Sequence, residues 1–298
     1  MVIILKGGNS SERQVSLWTA QSVATVLIQL GEEYREIDAA DTDWLEQVVA
    51  LKPRIVVIAL HGPFGEDGTV QGLLAEKGIA FTGSDSASSR FAIDKTATKK
   101  VVEKLGIKVP FSVAYSGDEP VTWEHGFPAV VKPDREGSSF GVTIVKDASA
   151  LDEAVKFARS FGVDILVEEF IKGTELTCGV IDVFGTLQAL PLVEIRPKHE
   201  FFNFEAKYTP GESEDICPAP VSKEVSDRVQ QETATIYKEM GLRQYARADW
   251  MLSEDGTPYF IEINTLPGMT KTSLLPMELP QAGISYEEFI AALIRVAD

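Results

Sequence analysis

The sequence predicts an α/β (α+β) protein that begins with a small parallel sheet. Three observations carry this prediction. Short apolar runs alternate with helical stretches in the first third of the chain, glycine-rich turns follow several of these runs, and the last third contains a strong hairpin signal. Strands separated by helices form parallel sheets, whereas a short turn joins antiparallel strands. We therefore expect a parallel layer first and at least one antiparallel hairpin near the end.

The elements of the first third follow from these patterns. Ser11 and Gln14 have the spacing of a capping box that opens a helix. The run 55–60 is apolar throughout, as central parallel strands are, and the glycine-rich segment 60–68 follows its carboxyl end. Ligands tend to bind at such strand ends in open α/β sheets. Strands are expected at 2–5, 34–37 and 55–60, and helices at 11–30, 44–51 and 69–77.

Beyond residue 85 the pattern is more mixed. A polar, aromatic loop over 196–220 is long for a compact domain, and such loops are often functional lids. We expect three domains, at 1–85, 86–174 and 175–298. Helices are expected at 86–105, 150–160, 222–240 and 286–296, and strands at 129–132, 142–145, 165–169, 176–183 and 188–193.

The composition argues against several classes of function. The 298 residues carry a formal net charge of −17, from 45 acidic and 28 basic residues, and this balance repels a nucleic-acid backbone. The two cysteines form no CxxC motif, so a zinc site and a disulfide framework are unsupported. The run 55–60 is far below membrane-spanning length, and the apolar start is too short for a signal peptide. We interpret the chain as a cytoplasmic protein without a nucleic-acid or membrane partner.

The last hairpin gives the strongest chemical signal. An Asp-Gly pair at 255–256 lies between two β-prone runs and predicts a two-residue turn. In that register Asp249 lies opposite Glu262. Arg247 then lies opposite Asn264. Alternation places these four side chains on one face and three apolar ones on the other, namely Trp250, Ile261 and Ile263.

Two carboxylates that face each other across a hairpin repel unless a cation lies between them. Oxygen ligands from Asp249, Glu262 and Asn264 suit Mg²⁺ or Mn²⁺, which proteins usually hold together with substrate phosphates. The pattern therefore predicts a metal site and a nucleotide, although a solvent-facing acidic hairpin stays open as the alternative.

The segment 130–142 is a second candidate site, because it joins two strands through a Gly/Ser-rich loop. Gly137 and Gly141 allow close backbone approach to phosphate oxygens, and Lys132 can add a point charge. An ordinary hairpin turn explains the segment equally well on these grounds. Neither a P-loop nor a Rossmann fingerprint occurs in the sequence.

Polar residues taken singly give weaker evidence of a functional site. Glu168 could accept from an adenine amino group and Glu175 could bind ribose hydroxyls, but solvated carboxylates are the simpler interpretation. Lys95 would ordinarily be a surface lysine of a helix. His61 could be a base, a substrate contact or a turn residue, and without a second histidine nearby a nucleophilic triad is unsupported.

Taken together, seven segments in order resemble the D-alanine–D-alanine ligase family of the ATP-grasp superfamily. The resemblance spans nearly the whole chain. It implies an ATP-grasp fold behind an N-terminal substrate-binding domain, with ATP closed between a central and a C-terminal subdomain that carries the metal site and lid loop. The segments are 7–13, 60–68, 94–95, 132–141, 205–208, 247–249 and 262–273.

The resemblance also implies how ATP is held. Lys95 and Lys132 would contact phosphates, and Lys207 would reach the phosphates or the second substrate's carboxylate. Two Mg²⁺ (or Mn²⁺) ions would bind to Asp249, Glu262 and Asn264. The residues expected around ATP are Lys95, Lys132, Ser138, Ser139, Glu168, Glu169, Phe170, Ile171, Glu175 and Lys207.

For the first D-alanine, the resemblance implies that Glu12 binds the ammonium group. Glu12, Ser138 and Tyr208 resemble the family triad that holds the lid loop and orients substrates. Tyr208 favours the dipeptide at neutral pH, because relatives that make D-alanyl-D-lactate have phenylalanine there. The lid segment 201–205 departs from many relatives at two positions, which leaves its packing open.

For the second D-alanine, the resemblance implies a carboxylate site at the Ser273 hydroxyl and the Leu274 N–H. Arg247 and the Gly268 N–H would stabilise the tetrahedral intermediate.

The expected activity is ATP-dependent ligation of two D-alanines through a D-alanyl phosphate, for peptidoglycan precursor synthesis, by a homodimer. An ATP-grasp ligase with another acceptor, D-lactate or D-serine, is the alternative. A catalytically silent nucleotide-binding protein is a third possibility, but it predicts losses among the metal and phosphate residues, and every matched position is filled.

Overall fold

The computed structural model describes residues 1–137, 140–197 and 213–295. Its helices are α1 (Arg13–Gln29), α2 (Trp44–Leu51), α3 (Thr69–Glu76), α4 (Ser86–Ile93), α5 (Lys95–Lys104), α6 (Leu151–Arg159), α7 (Lys223–Glu239), α8 (Leu274–Glu278) and α9 (Tyr286–Leu293). Its strands are β1 (Val2–Lys6), β2 (Tyr34–Asp38), β3 (Ile55–Ile58), β4 (Ser112–Tyr115), β5 (Ala129–Pro133), β6 (Thr143–Val145), β7 (Ile165–Glu169), β8 (Gly173–Ile181), β9 (Gln188–Ala189), β10 (Val193–Pro197), β11 (Ser213–Ile216), β12 (Tyr245–Ser253) and β13 (Pro258–Asn264).

The N-terminal sheet is parallel, as the sequence predicts, with strand order β2-β1-β3. However, β3 lies at its edge and has only an isolated bridge from Val56 to Phe81 beyond it. The expectation of a central strand was therefore wrong. Its four residues are all buried, because the core packs around a strand whatever its place in the sheet, and apolar composition reports burial only.

Two helix starts differ from the prediction. Helix α1 begins at Arg13, and its N-cap residue Glu12 makes no side-chain capping bond. The capping box predicted at Ser11 and Gln14 is therefore wrong, because the helix begins two residues after Ser11. The helix predicted over 86–105 is interrupted at Asp94, whose carboxylate accepts from the Ala97 N–H and starts α5.

The other two sheets in the described part of the chain are antiparallel. The four-stranded sheet has the order β4-β7-β5-β6, and the larger one runs β11-β10-β8-β12-β13 with β9 on β8. Helices α4 and α5 contribute Ala92 and Val102 to the core beneath the larger sheet, where they meet Trp250. The sequence reasoning missed β4, β11 and α8. The strand predicted over 188–193 is instead two short strands, β9 and β10, and β10 extends into the predicted loop 196–220. The three domain ranges stay a prediction.

Candidate active site

Two adjoining cavities lie where the sheets meet. The larger, of 490 Å³, is lined by residues beside the N-terminal parallel sheet, by Glu136 and Gly137 and by the final hairpin. The smaller, of 190 Å³, lies against β5, β7 and β13. Both cavities are lined by Lys95, Glu136, Glu175, Asp249 and Glu262, so they form one continuous site.

The structure brings the described candidate residues together at this site. Ser138, Ser139, Lys207 and Tyr208 lie outside the described residues. The larger cavity is lined by Glu12, Lys95, Glu175, Arg247, Asp249, Glu262, Asn264, Gly268 and Ser273. The smaller one is lined by Lys95, Lys132, Glu168, Glu169, Phe170, Ile171, Glu175, Asp249 and Glu262.

The hairpin pairs Asp249 with Glu262 and Arg247 with Asn264, which confirms the predicted register. The predicted two-residue turn, however, was wrong. The loop has three residues, because the Ser253 N–H donates to the Thr257 carbonyl at 2.9 Å. Gly256 closes it with a φ of 81°.

A bulge restores the register between the turn and the site. Asp249 pairs with Glu262, but Trp250 pairs with Phe260, so Ile261 is the extra residue of β13. Phe260 therefore joins Trp250 in the core, with ring centroids 5.6 Å apart. The prediction that Ile261 lies on the core face was wrong, because the bulge turns it into the wall of the smaller cavity.

Each of the two opposed carboxylates, Asp249 and Glu262, is paired with a cationic side chain of the protein. Arg247 donates to both oxygens of Asp249, at 2.9 and 2.8 Å, and Thr177 donates to the same carboxylate at 2.6 Å. Lys95 lies 3.2 Å from Glu262. The repulsion expected between the two carboxylates is therefore relieved within the protein.

The donor set fits a hard divalent cation. Asn264 Oδ1 accepts from the Leu266 N–H at 2.7 Å, which fixes the amide beside the two carboxylates. In the part of the chain that the structure describes, no three His, Cys, Asp or Glu side chains gather in a metal-binding group. An ion here would be held by Asp249, Glu262 and Asn264 together with substrate oxygens, the usual environment of Mg²⁺.

Glu168 lies between two buried lysines. Its carboxylate oxygens are 2.7 Å from Lys132 Nζ and 2.8 Å from Lys99 Nζ. Burial lowers the pKa of Lys99 to about 8, against the opposing effect of Glu168. Burial alone would raise the pKa of Glu168, but the attraction of Lys132 and Lys99 outweighs it and the pKa is lowered. The three groups form a charged cluster beneath the smaller cavity.

Sequence reasoning missed Lys99. A signal was present, because Lys95 and Lys99 are four residues apart on α5 and therefore share one face of the helix. The face is the one turned toward Glu262 and Glu168.

The N-terminal wall of the larger cavity contains His61 and two carboxylates. His61 Nε2 shares a hydrogen bond with Thr19 Oγ1 at 2.9 Å, and its Nδ1 lies 3.6 Å from Glu66. A Cβ atom at Gly137 would lie 3.4 Å from Glu66 Oε2 and 3.8 Å from Glu12 Oε2. Gly137 therefore lies close to the carboxylates of Glu12 and Glu66. Glu66 was also missed, although it lies in the segment singled out at 60–68.

The cavity wall opposite His61 is polar and closely packed. Ser273 Oγ accepts a hydrogen bond from the Thr270 N–H at 3.1 Å. It shares a second hydrogen bond with the Thr270 hydroxyl at 2.8 Å. A Cβ atom on Gly268 would lie 2.8 Å from that oxygen, so a larger residue at 268 would displace Ser273. Ser273 and Arg247 therefore face one cavity from different elements.

Two family models match the sequence. The one described as "D-ala D-ala ligase C-terminus" matches residues 115–295, and the one described as "D-ala D-ala ligase N-terminus" matches residues 29–84. The chain belongs to the D-alanine–D-alanine ligase family. The predicted family, its ATP-grasp fold and the class of ATP-dependent ligases are confirmed.

Full-length relatives agree with this assignment. The D-alanine–D-alanine ligase of Aquifex aeolicus (strain VF5) is 41% identical over 98% of this chain and 99% of its own length. That of Cupriavidus pinatubonensis is 40% identical, over 99% of this chain and 90% of its own.

Solved structures of the family share the fold. The D-alanine–D-alanine ligase from Bacillus anthracis complexed with ATP has a TM-score of 0.86 and 34% identity, over 99% of this chain and 96% of that one. VanG D-Ala:D-Ser ligase from Enterococcus faecalis also has a TM-score of 0.86, with 29% identity over 100% of this chain and 99% of that one. Among the helices described for this family member, none has both the length and the apolar character needed to cross a bilayer.

Proposed function

We propose that this protein ligates two D-alanines to D-alanyl-D-alanine at the expense of ATP, for peptidoglycan precursor synthesis in the cytoplasm. One observation carries the proposal. The lysines that suit phosphates, the opposed carboxylates and the Arg247–Ser273 wall all line one continuous site. The domain ranges 1–85, 86–174 and 175–298 and a homodimer are parts of the same proposal.

The reaction has two steps. The carboxylate of the first D-alanine attacks the γ-phosphorus of ATP, which forms an acyl phosphate and releases ADP. The amine of the second D-alanine, having lost a proton, then attacks the acyl carbonyl, and inorganic phosphate leaves from the tetrahedral intermediate. Neither step needs a covalent bond to the protein, so catalysis rests on positioning and on charge.

The smaller cavity suits ATP. Lys95 lines both cavities and so lies at their junction, and Lys132 lines the smaller cavity. Both ammonium groups would contact the phosphates. Glu168 and the strand end 169–171 would hold the adenine, and Glu175 the ribose. By the family resemblance, Ser138 and Ser139 would contact the phosphates, and Lys207 would reach the phosphates or the carboxylate of the second substrate.

We propose two Mg²⁺ ions, or Mn²⁺, at Asp249, Glu262 and Asn264. Bound there, they would neutralise charge on the phosphates. The chain's own residues hold these ligands in place, since Thr177 and Arg247 fix Asp249 and the Leu266 N–H fixes Asn264.

The larger cavity suits the two amino acids. Glu12 would take the ammonium of the first D-alanine and, with Ser138 and Tyr208, orient it. Arg247 and the Gly268 N–H would stabilise the oxyanion of the tetrahedral intermediate. Ser273 would hold the carboxylate of the second D-alanine.

The test of this proposal is release of ADP and phosphate with ATP, Mg²⁺ and D-alanine, with L-alanine as the control. D-alanine-dependent release with D-alanyl-D-alanine as the product is the expected result. A folded protein that binds ATP but shows no release above the L-alanine control would remove the proposed activity.

Lys99 offers a prediction for ATP binding. Replacing Lys99 by methionine is expected to raise the KM for ATP about tenfold, because Glu168 then keeps one cation only and a buried partner is lost. The effect should shrink above pH 8, where wild-type Lys99 itself loses its proton as its pKa is about 8. Steady-state kinetics from pH 7 to 9 measure it.

The matched control is Lys100→Met, because Lys100 is exposed on the same helix. A pH-independent KM ratio between wild type and Lys99→Met would contradict a role for the Lys99 charge.

Tyr208 offers a prediction for the acceptor. The similarity to VanG D-Ala:D-Ser ligase makes the choice of acceptor a separate question. Tyr208→Phe is expected to raise the use of D-lactate relative to D-alanine about tenfold or more, since the resemblance implies phenylalanine at this position in relatives that make D-alanyl-D-lactate. Competition between the two acceptors at pH 6 to 8 measures the ratio, and an unchanged ratio would place specificity elsewhere.

A further inference from the structure

A buried carboxyl group behind the site has no part in the function described so far. Glu278 is the last residue of α8, and it is 0% exposed. Its Oε2 accepts from the Gly179 N–H at 2.6 Å. Its Oε1 has no hydrogen-bond partner in the described part of the chain. A buried carboxyl group with a single hydrogen-bond partner is costly, so its presence here calls for an explanation.

The partner strand leads directly to the active site. Gly179 lies on β8, where it is the register partner of Arg247 on β12. Arg247 lines the larger cavity and holds Asp249. The hydrogen bond from Gly179 to Glu278 therefore fixes the backbone immediately beside the strand position of Arg247.

The fit between Gly179 and Glu278 is close. A Cβ atom on Gly179 would lie 2.1 Å from Glu278 Oε2 and 3.1 Å from Leu275 Cδ1. Only glycine leaves room at 179 for the carboxyl group to reach the backbone. The two residues therefore form a matched pair, here called the Glu278 latch.

The other end of α8 leads to the cavity wall. Ser273 comes directly before α8, and Ser273 and Leu274 both line the larger cavity. The latch thus holds to β8 the helix whose start carries Ser273. Since Gly179 is also the register partner of Arg247, the latch connects the helix that follows Ser273 to the strand position that carries Arg247.

We propose that Glu278 is a positioning residue for the acceptor D-alanine, because the Glu278 latch fixes Ser273 relative to Arg247. The inference rests on the proposed function, in which Ser273 holds the acceptor carboxylate and Arg247 the developing oxyanion. A small displacement of one from the other would weaken acceptor binding while leaving the ATP cavity unchanged.

Two substitutions that introduce side chains of similar length distinguish the effect of the hydrogen bond from the effect of packing. Glu278→Gln keeps an oxygen that accepts from the Gly179 N–H. Glu278→Met fills the same space without an acceptor and leaves that N–H unpaired. Glu287→Met, at an exposed position of the neighbouring helix α9, is the control for a glutamate-to-methionine change.

Full kinetics with D-alanine resolve the KM values of the donor and acceptor sites. In Glu278→Met we expect the acceptor KM to rise about tenfold, the effect of one unpaired buried donor, with the ATP and donor KM values within about twofold. Glu278→Gln should restore the acceptor KM to within about twofold of wild type. Amide hydrogen exchange at Gly179 should be slow in wild type and Glu278→Gln and fast in Glu278→Met.

An unchanged acceptor KM in folded Glu278→Met would overturn the inference, as would equal loss in all three KM values or a Glu278→Gln variant as impaired as Glu278→Met. Should Glu278→Met not fold, Glu278→Asp, whose carboxyl falls short of Gly179, replaces it with the same expected outcomes. A wild-type protein without D-alanine-dependent ADP release would instead reject the proposed function, while the exchange rate of Gly179 would still report on the latch.

Discussion

Glu262→Gln is expected to lower kcat about a thousandfold or more, because it removes one negative charge from the centre of the site at nearly constant size. Glu262 faces Asp249 across the hairpin, and in the structure its carboxylate lies 3.2 Å from Lys95. The substitution removes one counter-charge of Lys95, which also donates to the Glu136 carbonyl, and it replaces a proposed carboxylate metal ligand by a neutral amide. ADP release under saturating ATP, Mg²⁺ and D-alanine measures the effect.

The control for this prediction lies on the same hairpin. Glu254 is exposed at the turn, where it pairs with Lys172. Glu254→Gln therefore removes the same charge from the same hairpin away from the cavity, and it should retain wild-type kcat. Both variants should melt close to wild type, since Glu262 is only partly buried. A near-normal kcat in Glu262→Gln would remove Glu262 from the site chemistry.

Glu278→Gln is expected to change how stability depends on pH. Burial raises the pKa of Glu278 well above its ordinary range, so the folded protein keeps a proton that the unfolded chain releases above a pH of about 4.3. Between the unfolded and folded pKa values the unfolded state binds fewer protons, so this residue lowers wild-type stability as the pH rises. Glutamine carries no such proton.

The stability of Glu278→Gln relative to wild type should therefore grow by about 1.4 kcal/mol for each pH unit above about 5, until the folded pKa is reached. Urea denaturation of both proteins at pH 5, 6 and 7 measures this difference. A difference that stays constant across these pH values would mean that Glu278 is ionised in the folded protein.

The chemistry of the site could be predicted largely from short segments. Asp249, Glu262 and Asn264 were placed together from alternation along two strands, and the structure pairs them as expected. The predicted register was correct although the predicted turn was not. The turn is one residue longer than an Asp-Gly pair indicates, and the extra residue Ile261 takes up the difference. Local turn chemistry could not reveal a bulge formed by packing on β12.

Two of the residues that were missed share a different property. Lys99 and Glu278 acquire their surroundings from parts of the chain far away in sequence. Lys99 meets Glu168 from the four-stranded sheet, and Glu278 meets Gly179 across 99 positions. A charged residue in a helix is ordinarily solvated. The spacing of Lys95 and Lys99 could have indicated Lys99, whereas only the folded chain distinguishes Glu278 from a surface charge.

The bulge at Ile261 has a consequence for how the hairpin tolerates change. Residues 254–256 are exposed at its tip, whereas the pairing of Asp249 with Glu262 lies on the far side of the bulge. Exposed loop tips accept added sequence more readily than any other part of a domain. We therefore expect that a peptide epitope or a fluorescent reporter inserted at 254–256 leaves the carboxylates of Asp249 and Glu262 in their positions.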